Sequence, residues 1–413
     1  MAGAIESILS TERTRRRAED EGAVKLLVVA AVEICASAHD LPLLESTIAL
    51  LAKRRAQFPQ AISKMVDAAV ALLETLGEEE AASLVDTLLV VCEGKIFVEV
   101  PRARLTRRRA LAKEAAGDVK GAAEEIQDVQ VETLGSMEKD EKLDFILEQM
   151  RLCLEAGDWL RVLIISRKIH RKVFANNAFQ DQKLRYHNLL MAYHLHEANY
   201  LHVARALLAV YNTPVIADDP DKKWADILAK AAVFIVLAKQ APDQQDLLHR
   251  IKRERNLGDI PEIYDLVAAF TTQEIMAWPE IEEKFSPALH ALEGGLFDSA
   301  TEEGAARMAD LRTRVIEHNI RVISKYYTRI SLDRLGSLLT LDVADAESQL
   351  CDMVVEKAIW AKIDRLAGVV SFVKPATADQ LLNDWSSDVA SLISIVEKCN
   401  QNLEKETMMH KLK

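Results

Sequence analysis

Hydrophobic residues recur along most of this chain at helical spacing, and short polar breaks interrupt them at a nearly constant interval. The breaks fall at His39-Asp40-Leu41, Gly77-Glu78, Gly117-Asp118-Val119, Gly157-Asp158-Trp159 and Asn199-Tyr200; between Asp40, Glu78, Asp118, Asp158 and Asn199 the spacings are 38, 40, 40 and 41. Each break carries residues suited to ending one helix and starting the next. Gly or Asn takes left-handed backbone at a helix end, and Asp or Asn accepts the free amides of the following first turn. After Asp158 the apolar positions are Trp159, Val162, Leu163, Ile165 and Ile169; after Asn199 they are Leu201, Ala204, Leu207 and Leu208. Both sets fit one helix face. A helix pair of this size cannot bury its apolar face alone, whereas stacked pairs can. The pattern therefore predicts an α-solenoid, similar to tetratricopeptide repeats but with a period above their 34 residues.

Between Pro214 and Gly295 the period blurs. Helices still read over Trp224–Ala238 and Ile260–Phe270, the second with Pro261 early, where a missing amide costs nothing. Glu293-Gly294-Gly295 and the polar Asp298–Gly304 read as a hinge or exposed loop.

The pattern then changes character. A helix over Leu311–Tyr327 places Val315, Ile316, Ile320, Ile323 and Tyr327 on one face. Ser331 caps a second helix with Leu332, Leu335, Leu338 and Leu339, and Asp342 caps a third with Val343, Ala346, Leu350 and Val354. Period two follows: Ile359, Ala361 and Ile363 against Trp360, Lys362 and Asp364, then Val369, Ser371 and Val373 against Val370 and Phe372, with a turn over Asp364–Gly368. Three helices and a hairpin make the winged-helix order. Lys374-Pro375 ends it, and Thr377 with Gln380 forms a capping box for a last helix. The stripe of that helix is Leu381, Trp385, Val389, Leu392, Val396, Cys399 and Leu403, spaced 4, 4, 3, 4, 3 and 4, a heptad-like seam. Folding back on its own domain competes with packing into a bundle of helices from other chains; because the helix follows a self-contained module, the bundle is the expected arrangement.

The predicted fold is thus mainly α. Residues 1–20 are expected as a flexible N-terminal segment, 21–300 as the helical-repeat solenoid, 305–373 as the winged helix and 377–413 as the C-terminal helix. Composition agrees: 49% of the 413 residues are hydrophobic, only 5% are aromatic, and Gly and Pro number 14 and 10. A net charge of −12 argues against general affinity for nucleic acid or an anionic membrane. The most apolar runs, Leu26–Val32 and Ala231–Ala238, are far shorter than the about 18–20 residues of a membrane span. No secretory signal opens the chain. Cys35, Cys92, Cys153, Cys351 and Cys399 are odd in number and far apart, which fits a reducing compartment and thiols that act as small buried hydrophobes.

Little in the chain suggests catalysis. Gly94-Lys95 lacks the preceding glycine-rich turn of a phosphate loop, and neither Gly-x-Ser-x-Gly nor His-Glu-x-x-His occurs. His187, His194 and His202 lie roughly along one helix face, but three imidazoles without a carboxylate make a weak zinc site. The basic run Arg102, Arg104, Arg107, Arg108, Arg109 and Lys113 has no interleaved aromatic and is read as a solvated or acid-facing surface. The third helix of the winged helix, which enters the major groove in DNA-binding versions, carries Asp342, Asp345, Glu347, Asp352 and Glu356 against Lys357, a charge that phosphate would repel. No catalytic, metal or cofactor-binding residue is assigned.

Several segments in chain order carry a resemblance: Glu93-Gly94-Lys95-Ile96-Phe97-Val98-Glu99, Arg102-Ala103-Arg104-Leu105-Thr106, Gln130-Val131-Glu132-Thr133-Leu134-Gly135-Ser136-Met137-Glu138-Lys139, Glu148-Gln149-Met150-Arg151-Leu152-Cys153-Leu154, Lys325-Tyr326-Tyr327-Thr328-Arg329-Ile330, Ala361-Lys362-Ile363-Asp364-Arg365-Leu366-Ala367-Gly368-Val369-Val370 and Leu381-Leu382-Asn383-Asp384-Trp385-Ser386. After about residue 20 the chain resembles the family of proteasome regulatory-particle lid subunits called non-ATPase subunit 5 in yeast and subunit 12 in mammals. The match weakens between Pro214 and Ser299, and the N-terminus is shorter than is usual there. The resemblance implies helical repeats joined to a winged helix (the PCI module, its helical part starting near residue 200) and a non-catalytic scaffold role in the 19S lid, in cytoplasm and nucleus. It implies contact with other PCI subunits and the lid deubiquitinating subunit through the winged helix and last helix, and with the ATPase ring and core particle through the solenoid. Subunit 4 of the COP9 signalosome and translation-initiation-factor subunits share the architecture and define the alternatives. The deubiquitinating subunit's His-x-His metal motif is only superficially matched by His194-Leu195-His196, since Ala204 and Leu207 stand where that motif has Ser and Asp. Exposed hairpin edges are expected to pair with neighbouring winged helices. The candidate partner contacts are Ala361, Ile363, Val370 and Phe372 in the hairpin and Leu381, Trp385, Val389, Leu392 and Val396 in the last helix.

Overall fold

Each polar break between repeats is a helix boundary, in a computed structural model that describes residues 2–38, 40–175, 179–217, 223–292, 295–298 and 301–411. The chain forms two compact units, Met1–Ala231 and Ala232–Lys413.

The first unit is a run of antiparallel helices: α1 (Ala2–Arg17), α2 (Glu21–Ser37), α3 (Leu41–Lys53), α4 (Pro59–Leu72), α5 (Glu78–Cys92) and α6 (Glu99–Ala115). It continues with α7 (Val119–Gln127), α8 (Lys139–Glu155), α9 (Trp159–Lys168), α10 (Gln180–His196), α11 (Tyr200–Tyr211) and the short α12 (Pro214–Ala217). Helix α13 (Lys223–Leu237) crosses the division. Asp40, Asp118 and Asp158 accept the amides of Leu43, Gly121 and Arg161, as N-caps do. Gly117 and Gly157 take φ of +90° and +78° to end the preceding helices. At the last break the left-handed residue is Ala198, φ +51°, and not Asn199, which starts α11 without a side-chain bond.

Adjacent helices bury Val28, Ile48, Met65, Leu84 and Leu88 in one core and Ala123, Ile126, Leu147, Met150 and Val162 in the next. Polar bonds recur with nearly the same period. Arg104 grips Glu141 at 2.5 and 2.9 Å, Arg151 grips Glu114 at 2.6 and 2.7 Å, and Arg185 reaches Glu148 at 3.4 Å, each across 37 residues. From Glu78 to Asn199 successive repeats are thus clamped by charge as well as by apolar contact. Hydrogen bonds from Arg151 and Arg104 hold the carboxyls of Glu114 and Glu141 below the usual range. A carboxyl with a depressed folded pKa contributes stability that is complete above its unfolded pKa, about 4.3, and is lost as pH falls through the folded value. Urea midpoints should therefore hold from neutrality to about pH 5 and fall below that. Arg151→Met should lower the midpoint at neutral pH and flatten the acid slope; an unchanged slope would deny the clamp its role.

Of the N-terminal twenty residues, expected as a flexible segment, Ala2–Arg17 form α1 instead. Ile5 is buried in the first core, and Glu12, also buried, pairs with Arg54, just past the end of α3, and with Arg16 of α1. The charge-rich run Thr11–Arg17 hid that anchor, because Arg15 and Arg16 within it are ion-paired, with Asp20 and Glu12.

In the second unit α14 (Pro242–Lys252), α15 (Pro261–Thr271) and α16 (Trp278–His290) precede the long α17 (Glu302–Tyr326). Of the stretch expected as a hinge, Glu293, Gly294, Ser299 and Ala300 lie outside the described residues. Glu302–Gly304 form the first turn of α17, capped by Thr301, whose Oγ1 accepts the Gly304 amide at 3.1 Å. A Cβ on Gly304 would sit 2.1 Å from the Asp298 carbonyl oxygen, so only glycine fits. Buried Asn319 ties α17 to the segment before α16: its Oδ1 accepts the Met276 amide at 2.9 Å and its Nδ2 donates to the Met276 carbonyl at 2.7 Å. Asn319→Ala strands both backbone groups and should cost about 2–4 kcal/mol in chemical denaturation; a loss under about 0.5 kcal/mol would contradict this.

The module at the end of this unit comprises β1 (Arg329–Ser331), α18 (Leu332–Leu339), α19 (Val343–Val355), β2 (Lys362–Asp364) and β3 (Val369–Ser371), followed by α20 (Ala378–Lys411). Its core joins Ile316, Ile320 and Ile323 of α17 to Ile330, Leu335, Leu339, Leu350, Met353 and Val370. Ser331 and Asp342 cap α18 and α19, as expected.

Candidate assembly surfaces

The sheet of the winged helix has three strands in the order β1-β3-β2, both pairs antiparallel. The hairpin pattern anticipates β2 and β3. It misses β1, whose three residues Arg329-Ile330-Ser331 are too few to show alternation. That strand changes which hairpin residues can meet a partner. Strand β3 is central, and Val370 is fully buried against Ile330 on one side and Ile363 on the other. Val370 is therefore a core residue and not a contact, which corrects the expectation from the hairpin alone.

Of the hairpin's two edges only that of β2 is left open, and β1 forms the other edge of the sheet. The Phe372 amide donates to the Thr328 carbonyl at 3.0 Å and the Leu332 amide to the Gly368 carbonyl at 2.8 Å. Antiparallel alternation then points the Val370 backbone groups at β1 and those of Val369 and Ser371 at β2. By the same alternation Lys362 and Asp364 bond to β3, while the Ile363 amide and carbonyl face outward. The Ile363 side chain, with Ala361 and Phe372, is half-buried against the module core. The turn is built locally: Asp364 Oδ1 accepts the amides of Leu366 and Ala367 at 3.1 and 3.2 Å, and Gly368 has φ +66°. Arg365 pins it to Glu347 of α19 at 2.6 Å.

Helix α20 is the second surface. Thr377 and Gln380 form the expected reciprocal capping box, at 3.3 and 3.1 Å. None of its residues is buried: Trp385 is 67% exposed, Leu392 63% and Leu381 59%, with Val389 and Val396 also open. The stripe does not fold back on its own domain. An apolar face of this length left in water is unusual and makes α20 a candidate surface.

The other candidate features resolve into structure. In the basic run, Arg104 pairs with Glu141, Arg109 with Glu125 and Asp86, and Lys113 with Glu125, so half of its six cations are met by carboxylates within the chain, and Arg108 donates to the Leu73 carbonyl. His194 stacks on His202 with centroids 4.9 Å apart, and burial with the neighbouring imidazole pushes its pKa down to about 4. Among the described residues no group of three His, Cys, Asp or Glu is placed to hold a metal ion. Cys35, Cys92 and Cys153 are buried; burial pushes Cys92 up to about 11 and raises the other two, leaving little thiolate at neutral pH. Cys399, on α20, is exposed. No described helix is long and apolar enough to cross a membrane.

Three families match in succession. The family described as PSMD12/CSN4, N-terminal, covers residues 3–219, the PCI domain covers 272–374, and the 26S proteasome regulatory subunit RPN5 C-terminal domain covers 379–411. The third match falls on α20 itself. The chain is 38% identical to 26S proteasome non-ATPase regulatory subunit 12 of Dictyostelium discoideum, over 99% of this chain and 90% of that protein. It is 37% identical to 26S proteasome regulatory subunit RPN5 of Saccharomyces cerevisiae, over 99% and 92%. COP9 signalosome complex subunit 4 of Caenorhabditis elegans is 27% identical over only 43% of this chain and 40% of that protein. The chain belongs to the family of 26S proteasome non-ATPase regulatory subunit 12, the subunit called RPN5 in yeast.

Proposed function

We propose that this chain is a non-catalytic scaffold subunit of the lid of the 19S regulatory particle and supports ubiquitin-dependent protein degradation by holding other subunits in place. The observation that carries the reading is the bare α20, whose apolar stripe coincides with the RPN5 C-terminal family in a chain similar end to end to regulatory subunits. In this reading the solenoid of 21–300 faces the ATPase ring and core particle. The winged helix of 305–373 pairs with other PCI subunits, and the helix of 377–413 joins a bundle with them and the deubiquitinating subunit. Cytoplasm and nucleus are the compartments where such a complex works. The partial likeness to signalosome subunit 4 supports a signalosome role far less.

Affinity purification of the tagged chain with mass spectrometry tests this. Lid subunits, proteasomal ATPases and 20S subunits are expected to co-purify. Recovery of cullin-regulating partners without ATPases or 20S subunits would overturn the reading in favour of the signalosome. Isopeptidase or ATPase turnover by the isolated protein would overturn its non-catalytic part.

A further inference from the structure

A cleft of about 670 Å³ opens in the second unit between α14, the end of α15, α17 and the turn after α19. Its wall holds four cations, Arg314, Arg321, Lys325 and Lys357, and no carboxylate. In a chain of net charge −12 that is a local reversal of sign. The rest of the polar lining is glutamines 240, 244, 245 and 273, Thr271, Thr272, Ser324 and the imidazoles of His249 and His318.

Arg314, His318, Arg321 and Lys325 lie at i, i+4, i+7 and i+11, one stripe of α17 running about 16 Å at 1.5 Å per residue. Two carboxylates close to that stripe are already committed. Glu317 accepts from Arg314 at 2.7 Å and from Arg321 at 3.1 Å, and Glu356 binds Lys239 at 2.7 Å. One carboxylate is thus shared between two guanidiniums that are themselves largely buried. The Nε–H groups of both arginines are buried without an acceptor among the described residues. Burial, outweighing the attraction of Glu317, pushes the Arg321 pKa down, a sign of a cation short of negative charge. A buried donor left unmade is costly, and guanidinium forks match the oxygens of phosphate groups. Cations spread along the stripe suit a ligand with several phosphates better than a single small anion.

We infer that this cleft binds a small diffusible polyphosphate solute, with Arg314 and Arg321 at its floor and Lys325 and Lys357 at its rim. Such a ligand would bridge α17 to the turn after α19 and so brace the root of the winged helix. The inference does not depend on the assembly role proposed above.

Calorimetric titration of the full chain with sodium tripolyphosphate at constant ionic strength tests it. One site is expected, with inorganic phosphate at least tenfold weaker. Lys325 and Lys357 are exposed, so the pair Lys325→Gln and Lys357→Gln should fold as the parent does and bind tripolyphosphate at least tenfold more weakly. The pair Lys53→Gln and Lys64→Gln, in the first unit, should bind like the parent. Absence of binding at millimolar tripolyphosphate, equal loss in both pairs, or loss in neither overturns the site. Inorganic phosphate binding as tightly overturns the several-phosphate assignment. A doubly phosphorylated peptide binding more tightly than tripolyphosphate overturns the small-solute assignment.

Discussion

Removal of the residues after Lys374 should abolish entry of the chain into its complex and leave the isolated chain folded. The two halves of that expectation have separate causes. The repeats and the winged helix have closed cores, and no residue of α20 contributes to any of them. Deleting α20 therefore removes no buried contact, and thermal or urea unfolding should shift by less than about 0.5 kcal/mol. In an assembled bundle the stripe of Leu381, Trp385, Val389, Leu392 and Val396 becomes buried. Each large apolar side chain then contributes about 1.5–3 kcal/mol, so several are lost at once. Trp385→Asp with Leu392→Asp should reproduce the loss while keeping the helix. Cys399 lies on the same stripe and supplies a direct readout. Iodoacetamide should modify it rapidly in the free chain and slowly in the complex, with the buried Cys35, Cys92 and Cys153 protected in both. A truncated chain that unfolds would make α20 part of a domain core. One that enters the complex with undiminished affinity would leave the stripe without this purpose.

What was legible in the sequence was what local chemistry writes. The repeat boundaries follow from Asp40, Asp118 and Asp158, whose side chains cap helices wherever they stand. The α20 stripe follows from spacing alone, and so does the capping box before it. What was hidden depends on partners far along the chain. The α1 anchor needs Arg54, the basic run needs Glu125 and Glu141, and β1 is a strand only because β3 lies beside it. A three-residue strand buries one side chain, Ile330, and leaves no periodic trace. The cationic cleft was equally invisible, because α14, α17 and the turn after α19 meet only in the fold.

That hidden strand decides the second large effect. From the hairpin alone, proline at Ala361 and at Val370 would be equivalent tests of a pairing edge; in the three-stranded sheet they are opposites. Val370 is fully buried in the central strand and its backbone bonds to β1, so Val370→Pro breaks the ladder and Val370→Asp buries an unpaired carboxylate. The aspartate variant should cost on the order of 4 kcal/mol and melt the module before the repeats. Ile363→Pro acts on the other side of β2, where its amide faces outward, and Ala361→Pro acts just before the strand. Both should cost the isolated chain no more than about 1–2 kcal/mol and yet weaken lateral pairing with a neighbouring winged helix severely, because an added strand needs that outward donor. The measurement is reconstitution of the complex from purified subunits alongside circular-dichroism melts of each variant. An Ile363→Pro chain that assembles like the parent would remove β2 as the pairing edge. A Val370→Asp chain with an unshifted melt would contradict the strand order itself.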